Sequence, residues 1–255
     1  MKAHEVLSEF TRLVQPAASV APSPRDLCHA SVAIAGATGG AVIVDYADPT
    51  RMTLFATDHR AHRLEDLQEV LGEGPGWEAH RTSEATSADL GATTRWPLFS
   101  VTAVQEIGAV KVAAAPIHAG GAAVGVLSLY WATPQPAHPW ALGGGPRVAP
   151  PGHGEHHGSG LDPLDLLGLL GNLVGAFFAV NSEKDWETHL PWSHRASIHQ
   201  ATGILVAQLR LSVQDAVAVL RAYAFSSGLD LQSAATSVVQ QRVTLQLPEW
   251  RTGLM

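Results

Sequence analysis

Arg195, His199 and Thr202 fall at i, i+4 and i+7 and so share one side of a helix. Arg221 and Tyr223 stand further along the same apolar-patterned region. A guanidinium, an imidazole and a hydroxyl in one row suit phosphate and base-edge contacts, and a tyrosine ring can stack on an unpaired base. Read alone, the same row is a solvated helix surface and Tyr223 is half-buried packing. Covalent chemistry has less to stand on. The chain has one cysteine, Cys28, so it can form no internal disulfide and fits a reducing cytoplasm. No Gly-rich phosphate loop precedes a Lys. His153, His156 and His157 lie in a Gly/Pro-rich stretch, residues 143–160, that reads as a surface loop with adventitious metal affinity as the alternative. The expectation is a protein with no catalytic residues and no metal site.

Three helices must position that row. Ile198, Ala201, Leu205 and Leu209 recur at spacings of three and four and define one buried face. Ser212 and Asp215 make a capping-box pair that opens a second helix, expected to bury Val213, Val217, Leu220 and Ala224. Gly228 ends it, and Asp230 caps a third helix with Leu231, Ala234 and Val238 inward.

This segment resembles the ANTAR domain, the small RNA-binding domain of bacterial transcription antitermination regulators. The resemblance rests on Ile198, Gln200, Ala201, Gly203, Ile204 and Leu205, then Ser212 and Ala216, then Leu220, Arg221 and Ala224, and finally Leu231, Ala234 and Ala235. It implies RNA hairpins in a leader transcript as partner, with Arg195, His199, Thr202, Gly203, Arg221 and Tyr223 as contacts. Thr202 stands where the family often has Lys, which removes a phosphate-binding charge.

Charge is distributed in the same sense. Residues 191–255 hold five Arg against three acids, a net of +2, whereas residues 1–190 hold 11 basic and 20 acidic residues, a net of −9. The start of the chain is mildly amphipathic and acidic, unlike a signal peptide. Residues 164–180 are almost wholly apolar, yet shorter than the roughly 20 residues of a membrane span. They contain Asp165 and Asn172 and lack a basic flank, so a buried helix that packs on its twin in a dimer is expected, with no membrane contact.

Upstream the pattern is mixed. A helix is expected over residues 25–36, a β-branched strand over 41–46 and its hairpin partner over 52–56. A helix around 64–71 leads into the Glu-Gly-Pro loop of residues 72–79, and Ser87 to Leu90 begin a connection. Strands over 110–117 and 122–130 meet across Gly120-Gly121. This order resembles a GAF domain, a small-ligand sensor with an antiparallel sheet, helices on one side and a pocket on the other. Trp77, Trp96 and Phe99 are candidate pocket walls for a planar ligand, with ordinary core packing as the alternative. Glu73 and Asp89 are either polar selectors or loop caps. Relatives often carry a Cys after the Gly-Glu-Gly-Pro stretch, where Gly76 stands here, and reductases on this fold need several thiols.

The expected fold is therefore α+β: a GAF-like antiparallel sheet with flanking helices, then a three-helix ANTAR-like domain. Residues 1–182 form the sensor, with loop 143–160 and connecting helix 161–181, and residues 183–247 form the output domain. The two resemblances together imply an actinobacterial-type arrangement in a cytoplasmic, homodimeric antitermination regulator. No cofactor is expected beyond a small-molecule or protein signal at the sensor. The alternative is a protein–protein adaptor whose ANTAR-like part serves dimerisation without RNA.

Overall fold

The computed structural model describes residues 1–15, 21–44, 52–93, 95–108, 111–132, 161–180, 192–243 and 245, with side chains from residue 196 onward in the last group. The His-containing stretch 143–160 lies outside the described residues. Two helices open the chain, α1 (Ala3–Val14) and α2 (Pro24–Ala35). Ser23 and Asp26 cap α2 reciprocally, the Ser23 hydroxyl accepting from the Asp26 amide and the Asp26 carboxylate from the Ser23 amide.

Five strands follow: β1 (Gly39–Val44), β2 (Met52–Ala56), β3 (Thr86–Asp89), β4 (Lys111–Ala119) and β5 (Ala122–Trp131). They form one antiparallel sheet in the order β2-β1-β5-β4-β3. Gly120 and Gly121 both take positive φ, 60° and 85°, as the tight β4–β5 turn demands. Residues 86–89, read from sequence as the start of a connection, are instead the edge strand against residues 111–114. A short polar edge strand carries no hydrophobic alternation, so pattern alone does not reveal it.

Helices cover both faces of the sheet, which corrects the expectation of helices on one side only. On one face α1, α2 and α6 (Pro163–Val180) pack Phe10, Leu27, Leu167, Leu170 and Val174 against Ile117, Leu127 and Leu129. On the other, α3 (His59–Leu71) and α5 (Pro97–Ile107) pack Leu64, Leu67 and Phe99 against Val112 and Tyr130. The glycine-rich loop expected over residues 72–79 gives way at Pro75 to a further helix, α4 (Pro75–Thr82), because proline at the first helical position starts a helix well. Its Ala79 seals the sheet beside Ala114 and Val126. In α6, side chains at Gly171 and Gly175 would collide with the carbonyls of Pro116 and His118, so these glycines let the helix lie directly on β4. Among the described residues α6 alone is long and apolar enough to cross a membrane, but its Leu167, Leu170 and Val174 are spent on the sheet.

The C-terminal domain is α7 (Trp192–Leu209), α8 (Val213–Ser227) and α9 (Leu231–Val239). Asp215 and Ser233 donate their amides to Ser212 and Asp230, the caps expected from sequence. Ile198, Ala201, Leu205, Val217, Leu220, Ala224, Leu231, Ala234 and Val238 are buried as the periodicity requires. Val213 is not: at the first turn of α8 it is 57% exposed.

Candidate nucleic-acid interface and sensor cavity

On α7 the solvent face holds His199, Gln200 and Gly203, and a Cβ at Gly203 would meet nothing within 4 Å. The side chain of Arg195 lies outside the described residues. Thr202 does not join this face. It is buried, and its hydroxyl donates to the Ile198 carbonyl at 2.8 Å. The reason is helical geometry: Thr202 is four residues after Ile198 and three before Leu205, so it shares their inward side. Its place in the row with Arg195 and His199 is therefore corrected.

On α8, Tyr223 is half-buried against the helical core. Arg221 points elsewhere. Its guanidinium carbon sits 5.2 Å from the centre of the Trp77 ring on α4, and its Nε is shut off from solvent. The structure thus joins a candidate RNA contact to a candidate pocket wall across the two domains. Trp77 is held in place by its own ring nitrogen, which donates to the Gln68 carbonyl at 2.7 Å. Gly72, in the left-handed conformation that ends α3, presents a bare backbone beneath Arg221. Val70 of α3 is buried in the same cluster as Leu205, Leu220 and Ala234.

The other two pocket candidates stand apart from Trp77. Phe99 is wholly buried, and Trp96 meets it edge-on with ring centres 6.4 Å apart. The Trp96 ring nitrogen donates to Glu78 at 2.9 Å, and Glu78 also pairs with Arg95. Only Phe99 of the three lines the cavity under the sheet, with Leu64, Glu65, Gln68, Ser128 and Tyr130. That cavity is about 10 Å³, the room of about one water. The hydroxyls of Ser100 and Ser128 are buried without a hydrogen-bond partner among the described residues. Gln68 organises the wall, donating to Glu65 at 2.9 Å and accepting the Gly76 amide at 2.7 Å. Sequence reading missed Gln68, Glu65 and Ser128. They sit on inward faces whose polarity is the available signal, since buried polar groups need partners or a role.

Glu73 and Asp89 act as caps: Glu73 accepts the Phe99 amide at 2.7 Å and Asp89 the Gly91 amide at 2.9 Å. On the central strand β5, Tyr130 donates to Asp58 at 2.9 Å. Burial first, and the nearby Asp58 carboxylate second, push the Tyr130 phenol up to about 12. Burial works against the Asp58 charge, but hydrogen bonds from Ala61, Tyr130, Thr57 and Arg60 outweigh it and hold the carboxyl below its usual range. Burial pushes the Cys28 thiol up to about 12, far from the thiolate needed for reaction.

Fold and site together define a two-part chain, an α+β domain with a five-stranded antiparallel sheet followed by a helical domain. Residues 192–239 match the family model of the ANTAR domain. Among solved structures, the GAF domain of A. aeolicus nlh2 in an inactive state is similar at 12% identity, covering 71% of this chain and 97% of that one with a TM-score of 0.45. No curated protein matches the chain.

Proposed function

We propose that the chain is a cytoplasmic, signal-responsive antitermination regulator that binds paired RNA hairpins through its C-terminal helices under control of a GAF-type sensor. The ANTAR match over residues 192–239 carries this reading, because ANTAR domains are RNA-binding. The sequence resemblance to a GAF domain supports the signalling half. The protein acts by binding rather than by chemistry. His199, Gly203 and Arg195 form the primary RNA face, with Arg221 and Tyr223 joining from α8, and a homodimer presents two such faces to two hairpins.

The test is enrichment of a randomised-loop library of tandem stem-loop RNAs on the full chain at low salt. An enriched RNA should lose affinity as salt rises and lose about tenfold or more on Arg195→Glu. The adaptor reading draws on the few basic residues of the helices, with Thr202 where the family often has Lys, and on the engagement of Arg221 with Trp77. A stable dimer that enriches no RNA favours the adaptor.

A further inference from the structure

Arg221 faces two claims: the helical domain needs it for RNA, and the sensor already holds it. Two contacts bind the helical domain to the sensor at one corner. Val70 completes the buried cluster of the helical domain. The Arg221 guanidinium lies over the Trp77 ring, beside the bare backbone of Gly72. At the other end of α3 the Asp230 carboxylate shares an open polar cleft of about 570 Å³ with Arg60, Arg63, Asp66 and Glu106, and adds weakly to the charge-favouring effect of the nearer partners Asp66 on His62 and Glu106 on Arg63.

In the docked state the guanidinium lies over Trp77 and against Gly72 with its Nε shut off from solvent, so the edge that carries Nε is not available to fork onto an RNA phosphate or base. We propose that Trp77 is a latch: it holds Arg221 in the docked state, and the docked state and the RNA-bound state exclude one another. The inference rests on the reading of the helical domain as RNA-binding, and it names how that activity is regulated. The latch is tied to the sensor interior. Trp77 donates to the backbone of Gln68, whose side chain fixes Gly76 at the start of α4 and lines the small cavity. A change in the cavity that moves Gln68 reaches Arg221 through this short chain of contacts, and α8 is the two-position element that both sites bias.

The test compares the full chain with Trp77→Leu, which keeps apolar bulk but removes the ring face and the N–H. Trp77→Phe, which keeps a ring face, serves as the conservative control and covers the case in which the Leu variant fails to fold. Amide hydrogen exchange across α8 and α9 reads docking without any RNA, and the tandem stem-loop library is run on all three proteins. The latch predicts faster exchange in α8 and α9 and about tenfold tighter RNA binding for Trp77→Leu, with Trp77→Phe close to the parent chain. Unchanged exchange in Trp77→Leu overturns the latch whatever the RNA does. Faster exchange with unchanged RNA affinity overturns the exclusion of one state by the other. If no protein enriches any RNA, the RNA reading itself fails, and the exchange result then reports on a docking contact alone.

Discussion

The two domains are held together on different length scales. In the sheet domain the decisive contacts join residues far apart in sequence, as where Gly39 pairs with Tyr130 and α6 lies on β4. In the C-terminal domain α8 and α9 each carry their own caps and an apolar stripe within fifteen residues or fewer. The difference is not one of independence, however. The sheet domain closes the clusters on both its faces with its own residues, whereas the buried cluster of the helical domain includes Val70 of α3. The domain that is simpler to read is the one whose finished surface depends on its neighbour.

The largest expected break falls in the sheet domain. Phe99→Ala empties a wholly buried site beside Trp96 and should cost about 3–5 kcal/mol, read as a lower denaturation midpoint. If the domains are separable, calorimetry of this variant shows the transition of the sheet domain moving down while the helical one holds. A single transition moving as a whole shows that docking couples them.

Val70→Ala probes the shared residue and should cost about 1–2 kcal/mol. Its signature lies in where the loss is felt: hydrogen exchange should rise in α8 and α9 more than in β4 and β5. Equal loosening of both domains would end the distinction between a self-contained core and a borrowed one.

The smallest effect sits at the Tyr130–Asp58 bond. Tyr130→Phe should cost about 1 kcal/mol near neutral pH. The folded phenol titrates near 12 rather than at its ordinary 10, so its contribution is complete below pH 10 and is lost as pH rises through 12. Asp58 has the opposite sign: its contribution is present above the ordinary carboxylate range and lost as pH falls through the lowered value. Denaturation curves against pH should therefore fall more steeply between 10 and 12 for the parent chain than for Tyr130→Phe. A matching alkaline slope in both would remove Tyr130 as the cause.

Legibility followed the range of the interaction. The β4–β5 hairpin, the α2 box, the helix caps at Ser212 and Asp230 and the buried face of Ile198, Ala201 and Leu205 rest on spacings of two to four residues, and all could be read directly. Thr202 was readable too, had the inward face been extended by one position, since its hydroxyl is satisfied within its own helix. The edge strand β3, the helices α4 and α5 and the burial of the sheet's second face were not, because each is stabilised by partners tens of residues away.

The sequence by itself determined the helices of the C-terminal domain, the turn glycines, the absence of any second thiol and the sign of charge on each half. Those properties are local or additive, so order along the chain suffices to state them. Only the tertiary structure decided that the cavity beside Phe99 and Gln68 holds about 10 Å³, that Trp77 faces the helical domain rather than that cavity, and that Arg221 rests on it. Packing and cation–π contact depend on which surfaces meet in space, and periodicity carries no record of that.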